Sequence, residues 1–254
     1  MLGLGRTNSV NIMPRMNFSL PLTIVALASL TACGSGSLVP ENKHADRAKS
    51  RADGMPRERR HAAKPRRTVS IPNAPFSDAN ARECAVELGS KGVKFSPLPD
   101  KREAGGCSAI DSIKLLDIGT PTTNLTAMTC PLAKNFAAWA RYAVQPAARM
   151  AFNQQVVKIE TMGTYSCRNI YGGRSGRLSQ HAFANAVDVS AFILEDGRRV
   201  SLLGDWHGRD DSKKFLRLIH TSACKRFGTV LSPDYNRAHA DHFHFDMSGN
   251  NYCR

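Results

Sequence analysis

Apolar positions in the second half of the chain recur with two different periods. Apolar residues three and four positions apart predict amphipathic helices over Cys130–Ala151 and Ser212–Phe227. Pro131 suits the first turn of the earlier helix, and Pro146 is expected to end or kink that helix. These two helices are the longest regular elements that the pattern predicts.

Strand patterns lie between and after these helices. β-Branched residues predict a strand over Gln155–Gly163, and "DHFHFDM", residues 241–247, predicts a last strand. Residues 186–203 predict a hairpin, because Asp196-Gly197 is a strong two-residue turn. On its first strand, one face would carry Val187, Val189, Ala191 and Ile193, and the other Asp188, Ser190 and Phe192. The order of elements indicates an α+β domain with a largely antiparallel sheet flanked by helices.

The N-terminal region carries an export signal. The apolar run from Phe18 to Leu30 is too short to span a bilayer and is typical of a signal-peptide core. The run continues into "LTAC", which resembles the bacterial lipobox with Cys33 as the lipidated residue; an ordinary secretory signal is the alternative. We predict a lipoprotein signal peptide over residues 1–33. Gly34 after the cysteine resembles outer-membrane sorting signals, so we expect a lipid-anchored protein on the periplasmic face of the cell envelope.

Basic charge is concentrated just after this signal. The chain has 35 Lys and Arg against 21 Asp and Glu, and ten of the basic residues with four acids fall in Glu41–Arg67. Such a segment buries too little apolar surface to offset its chain entropy. We predict a flexible basic linker over residues 34–76 and a folded domain over 77–254. The linker suits adsorption to anionic lipid or wall polymers, or is simply solvated. Export disfavours nucleic acid as a partner, and the oligomeric state stays open.

Six cysteines follow Cys33. An even number in an exported domain predicts up to three disulfides, and the absence of a CxxC pair argues against a cysteine zinc site. Sequence does not choose among the possible pairings. Pairing of sequence neighbours is the working expectation: Cys84–Cys107, Cys130–Cys167 and Cys224–Cys253.

Two polar clusters carry the candidate chemistry. One is His181 with Asp188 in "SQHAFANAVDVS", and the other is "RAHADHFHFD", residues 237–246. On a strand, side chains alternate between two faces. One face would carry His242, His244 and Asp246, and the opposite face would carry the two phenylalanines between them. Polar groups at this density must be solvated, mutually paired or bound to a metal.

A catalytic zinc ion needs three protein ligands and an open position. His181, Asp188 and one of the later histidines supply two nitrogens and one oxygen, with Asp241 and His242 as candidate bases. A satisfied polar network is the alternative reading. A non-haem iron site is disfavoured, because such sites usually place histidine and carboxylate two residues apart. The single histidines His207 and His220 are expected to be surface or packing residues.

The motifs resemble those of the zinc D-Ala-D-Ala metallopeptidases, which share the hedgehog-like fold. "SQHAFANAVDVS" is similar to the family's S-x-H-x-x-G-x-A-x-D, "DHFH" to E-P-W-H and "GTYSCR" to S-G-Y-R. The resemblance implies Zn²⁺ bound by three ligands: His181, Asp188 and His244. It also implies that Arg168 polarises a substrate carbonyl. The general base stays open between Asp241, which stands for a glutamate, and His242, which matches some murein endopeptidases.

More of the chain is similar to the bacterial extensin-like C-terminal domain family, from about Cys84 to Arg254. The shared segments include "LTAMTCPLA", "LSQHAFANAVDVSAF", "VLSPDYNRAHADHFHFDM" and the ending "YCR". Together the two resemblances imply a zinc-dependent hydrolase that cleaves peptide bonds in peptidoglycan, of carboxypeptidase or endopeptidase type. A cell-wall-binding envelope lipoprotein with the same fold and little or no catalysis is the alternative.

Overall fold

The computed structural model describes residues 76–254, an α+β domain. The helices are α1 Ala79–Ser90, α2 Cys130–Trp139, α3 Gln145–Phe152, α4 Leu202–Asp205 and α5 Asp210–Cys224. The strands are β1 Lys94–Pro97, β2 Lys101–Arg102, β3 Ser108–Ala109, β4 Ser112–Asp117, β5 Met128–Thr129, β6 Val156–Gly163, β7 Ala186–Leu194, β8 Arg199–Ser201, β9 Thr229–Leu231, β10 Phe243–Asp246 and β11 Tyr252–Cys253. The predicted signal peptide, the anchor at Cys33 and the predicted linker up to residue 75 lie outside the described residues. Within the described range, no helix has the length and apolarity needed to cross a membrane.

A six-stranded sheet forms the centre of the domain. Its strands run in the order β11-β9-β10-β7-β6, and β8 pairs with the second half of β7. Every pairing in this sheet is antiparallel except that of β11 with β9. The β7–β8 hairpin turns at Gly197, whose φ of +84° suits glycine. The predicted α+β class and the largely antiparallel sheet are therefore confirmed.

Aromatic rings fill the space between this sheet and the long helices. Trp139 of α2 lies edge-on to Phe245 of β10 at 5.0 Å between centroids, and Phe192 of β7 lies edge-on to Phe215 of α5 at 5.2 Å. The Trp139 indole N–H donates to the Ile219 carbonyl at 2.9 Å, so this buried polar atom has a partner. The helices thus cover the apolar face of the sheet, which fixes β7 and β10 from behind.

The predicted interruption near Pro146 takes the form of a π-helical segment. Residues Ala140–Val144 form this wider turn between α2 and α3, and Pro146 stands in the first turn of α3. Proline lacks an N–H and so cannot complete the regular hydrogen-bond ladder, which a local π-turn accommodates. The chain stays helical from Cys130 to Phe152 and keeps one continuous apolar face.

One predicted strand face is wrong. Val189 pairs with Thr161 and Ala191 with Glu160, so Ser190 is an extra residue on β7 and forms a bulge. A bulge shifts the alternation of side chains by one position. Phe192 is therefore fully buried in the core together with Val187 and Val189, not on the face of Asp188.

The six cysteines form three disulfides, as predicted, but two of the expected pairings are wrong. The bonds are Cys84–Cys130, Cys107–Cys167 and Cys224–Cys253. Helix α1 packs against α2, which brings the first pair together although 46 positions separate them. The second pair ties the loop before β3 to the loop after β6. These contacts are tertiary, and neighbour spacing in the sequence does not encode them.

Candidate metal centre

A short capped helix presents His181. Residues Gln180–Phe183 form one 3₁₀ turn, and the Ser179 hydroxyl accepts the His181 N–H at 3.4 Å. Ala184 ends the turn in the left-handed region at φ +53° and directs the chain into β7. Asp188 is the third residue of that strand. The sequence separation between His181 and Asp188 thus places one candidate ligand on a turn and the other on the strand that follows.

His244 lies directly opposite Asp188 in the β7–β10 pairing. Its Nδ1 is 2.9 Å from Asp188 Oδ1, and His181 Nε2 is 3.1 Å from Asp188 Oδ2. The two ring nitrogens are 3.2 Å apart, and all three side chains are buried. The structure therefore brings together the three residues that the sequence suggested as metal ligands.

The hydrogen bonds behind these rings decide which nitrogen faces the centre. His181 Nδ1 lies 2.5 Å from the Thr164 carbonyl oxygen, and His244 Nε2 lies 3.1 Å from the Asp246 carboxylate. Both partners only accept hydrogen bonds, so these nitrogens carry the protons. When both rings are neutral, their two lone pairs and the Asp188 carboxylate converge on one point. Such a set of acceptors fits a divalent cation such as Zn²⁺, whose usual ligands are imidazole nitrogen and carboxylate oxygen.

The charges of the centre also suit a bound cation. Burial alone would raise the pKa of Asp188, but hydrogen bonds with His181 and His244 outweigh it and hold that pKa well below its usual range. Burial would lower the pKa of His244, yet bonds with Asp188 and Asp246 raise it to about 9 in the metal-free protein. The centre therefore attracts positive charge, either as a proton on His244 or as a metal ion.

The two candidate bases lie at different distances from the centre. His242 Nε2 is 3.8 Å from Asp188 Oδ1, and the ring is almost buried. Asp241 is half exposed, and its carboxylate accepts the His242 Nδ1–H at 2.7 Å. His242 thus stands beside the candidate ligands, and Asp241 orients its ring. Arg168 Nη2 lies 3.6 Å from Asp188 Oδ2 on another side of the centre.

The centre forms part of a cleft of about 800 Å³. Its walls include aromatic and basic side chains: Arg168, Tyr171, Arg177, Tyr235, His239 and Tyr252. Burial and the neighbouring histidines lower the pKa of His239 to about 4, so its ring is neutral at neutral pH. Asp188 and His244 therefore border an open space large enough for a peptide segment rather than a sealed core.

Sequence patterns gave no role to Asp246 and Tyr171, which line the cleft, or to Asn236, which contacts Tyr171. Asp246, which supports His244, stands two positions after it on the same strand face, so alternation was a usable signal. Tyr171 and Asn236 meet through a hydrogen bond of 3.1 Å although 65 positions separate them. No local pattern encodes such a contact between two loops.

His207 and His220 lie apart from the centre, as expected. The His207 side chain is exposed, and His220 stacks on Phe243 with its Nε2 3.9 Å from each sulfur of the Cys224–Cys253 pair. The three donors are close enough for a metal ion, but both sulfurs are joined in the disulfide. His220 is therefore a packing residue here.

A sequence profile described as "Extensin-like protein C-terminus" matches residues 82–254, more than half of the chain. The chain belongs to this family. Comparison with curated proteins and with solved structures gave no significant match. The extensin-like domain thus comprises nearly all the described residues, including both strands of the candidate centre.

Proposed function

We propose that the extensin-like domain is a zinc-dependent hydrolase that cleaves peptide bonds in peptidoglycan. One observation carries the proposal: three buried acceptors, on His181, Asp188 and His244, converge at the wall of an open cleft. The supporting hydrogen bonds turn the two lone pairs of the neutral rings toward the same point, beside an ionised carboxylate. A divalent cation can replace the His244 proton there and be held by all three side chains.

His181, Asp188 and His244 would hold the ion, and Asp246 and the Thr164 carbonyl would fix the two rings. When bound, Zn²⁺ supplies a Lewis acid that polarises a carbonyl and lowers the pKa of water. The side chains leave the cleft side of the centre open. A substrate carbonyl and a water molecule would enter from there.

His242 would move the proton. Its Nδ1–H is held by the Asp241 carboxylate, so the lone pair on Nε2 is free to accept a proton from the attacking water. Asp241 then stabilises the imidazolium, and Nε2 returns the proton to the leaving amine. The Arg168 guanidinium lies where it can hold the oxygen on which negative charge develops. This assignment favours His242 over Asp241 as the base.

The substrate class follows from the predicted location and from the resemblance. A lipid anchor at Cys33 and a basic linker over residues 34–76 would hold the domain on the periplasmic face of the outer membrane, within reach of peptidoglycan. The likeness of the two motif regions to the zinc D-Ala-D-Ala metallopeptidases supports peptide-bond hydrolysis and a hedgehog-like fold for the domain.

A wall-binding lipoprotein with little catalysis is the second candidate. It is favoured by Asp241, which is shorter than glutamate and reaches His242 rather than the ligands. Purified muropeptides incubated with zinc-loaded wild type, His181→Ala and the control His207→Ala separate the two. New products with wild type and His207→Ala alone support hydrolysis. Sedimentation with sacculi and no product from any variant supports the binder.

A further inference from the structure

Tyr171 is held in an unfavourable backbone conformation at the cleft. Its φ of +58° and ψ of 19° lie in the left-handed region, which costs a bulky residue about 1–2 kcal/mol. The side chain is 60% exposed and lines the cleft. Neither core packing nor a glycine-like turn explains an aromatic residue at this position. Strain of this kind is retained where the surrounding structure needs the side chain in one place.

A hydrogen bond fixes the Tyr171 hydroxyl. The Asn236 Nδ2–H donates to it at 3.1 Å. The hydroxyl oxygen accepts this bond, and the O–H has no hydrogen-bond acceptor among residues 76–254, so it can donate to a ligand.

The loop that carries Asn236 is itself anchored. Asp234 accepts the Trp206 indole N–H at 2.7 Å and an Arg217 N–H at 2.5 Å. Trp206 is fully buried, and the Arg217 guanidinium stacks 3.6 Å above its ring. The loop therefore holds Asn236 in place, and its amide can fix the Tyr171 hydroxyl relative to the His239 ring.

The other end of the Asn236 amide sets the tautomer of His239. Asn236 Oδ1 lies 2.8 Å from His239 Nδ1, and an amide oxygen only accepts, so Nδ1 carries the proton. The lone pair of His239 then sits on Nε2. This nitrogen has no protein hydrogen-bond partner among residues 76–254, and it is not among the sealed polar atoms of that range. The ring centroids of His239 and Tyr171 are 6.2 Å apart and both residues line the cleft, so a donor and an acceptor without protein partners among residues 76–254 border the same space.

We propose that Tyr171, Asn236 and His239 form a subsite that binds the peptide backbone of the substrate. His239 Nε2 accepts an amide N–H, and the Tyr171 hydroxyl donates to a neighbouring carbonyl oxygen. A peptide unit carries this donor and acceptor close together, which matches the pair on the wall. The subsite rests on the proposed hydrolase function and adds to it the residues that position the chain being cut.

The test measures binding without turnover. Two zinc-loaded proteins, His242→Ala and the double variant His242→Ala/Tyr171→Phe, are titrated calorimetrically with a purified disaccharide-tetrapeptide muropeptide. Loss of one hydrogen bond should weaken the Kd about fivefold. Tyr142→Phe is the matched control, because Tyr142 is equally exposed and does not line the cleft. It should leave the Kd unchanged.

Two substitutions of Asn236 test whether its amide oxygen sets the His239 tautomer. Asn236→Asp keeps the acceptor for His239 Nδ1–H, whereas Asn236→Leu removes it. The Leu variant should bind the muropeptide more weakly than the Asp variant. Imidazole ¹⁵N spectra should show His239 Nε2 unprotonated in wild type and Asn236→Asp, and mixed tautomers in Asn236→Leu. A merely structural role for Asn236 would leave this signature unchanged.

The outcomes separate this subsite from the proposed function. Wild type that forms no product while Tyr171→Phe still weakens the Kd would contradict hydrolysis and support the subsite. Product from wild type with an unchanged KM in Tyr171→Phe and Asn236→Leu would overturn the subsite alone. Absence of muropeptide binding by zinc-loaded protein would overturn the subsite as well.

Discussion

His244 and Asp188 face each other across the β7–β10 strand pair, with 2.9 Å between His244 Nδ1 and Asp188 Oδ1. The backbone ladder fixes this distance, and Phe243 and Phe245 on the other face of β10 anchor the strand in the core. These two candidate ligands thus rest on paired strands, while His181 reaches them from a turn.

Stability of the zinc-free protein should depend on pH through His244. Its pKa is about 9 in the folded state against 6.5 when exposed, so it stabilises the fold below pH 6.5 and loses that effect as pH rises through 9. The carboxylates have lowered pKa values and stay ionised over this range. We expect the free energy of unfolding to fall by on the order of 3 kcal/mol between pH 6.5 and 9.

Urea unfolding in the presence of a chelator measures this dependence. The zinc-loaded protein should not show the decline, because the ion replaces the proton on His244. His244→Ala should lack it in either state. If the free energy of unfolding of the zinc-free protein stays level or rises between pH 6.5 and 9, a proton on His244 shared with Asp188 and Asp246 is contradicted.

Asp246 should matter for zinc affinity although it is not a ligand. It holds the His244 Nε2–H at 3.1 Å, and loss of such a support weakens metal binding about 10–100-fold. We expect Asp246→Ala to raise the zinc Kd by this factor in a competition titration. Ser248→Ala removes a hydroxyl that bonds Asp246 and should have a much smaller effect. Equal affinities for Asp246→Ala and wild type would refute the supporting role.

Sequence patterns predicted the parts of this site that local periodicity encodes. Alternation in "DHFHFDM" predicted the strand face shared by His244 and Asp246, and Asp196-Gly197 predicted the hairpin that carries Asp188. The choice of His181 came from its motif. Each of these features depends on residues only a few positions apart.

Other features depend on long-range contacts and could not be predicted. The bulge at Ser190 arises from the register between β6 and β7, so alternation alone placed Phe192 on the wrong face. Cysteine pairing follows the docking of α1 on α2. The position of Asp241 follows from the turn before β10, where alternation no longer applies.

The His242–Asp241 pair should divide catalysis unequally. As the proposed base, His242→Ala should lower kcat by about 10²–10⁴-fold. Asp241→Asn leaves the ring in place but weakens its orientation, and we expect a loss of about 10–100-fold. Muropeptide hydrolysis at saturating substrate measures both, with the exposed His207→Ala and Asp210→Asn as matched controls. A larger loss in Asp241→Asn than in His242→Ala would identify Asp241 as the base.

The Cys107–Cys167 disulfide should affect binding as well as stability. It ties the loop that carries Arg168 to the rest of the domain. Replacement of both cysteines by alanine should cost about 2–4 kcal/mol in unfolding and raise KM for muropeptides. The same double replacement at Cys224–Cys253, beside His220, should cost a similar free energy with KM unchanged. A KM that responds equally to both would argue against a role for the first bond in holding Arg168.

Zinc content tests the central claim most directly. The purified protein is loaded with zinc at neutral pH, dialysed, and measured by inductively coupled plasma mass spectrometry beside His244→Ala and the control His207→Ala. We predict about one zinc ion per chain in wild type and His207→Ala, and none in His244→Ala. Wild type that retains no zinc, or His244→Ala that retains as much as wild type, would contradict a metal centre formed by His181, Asp188 and His244.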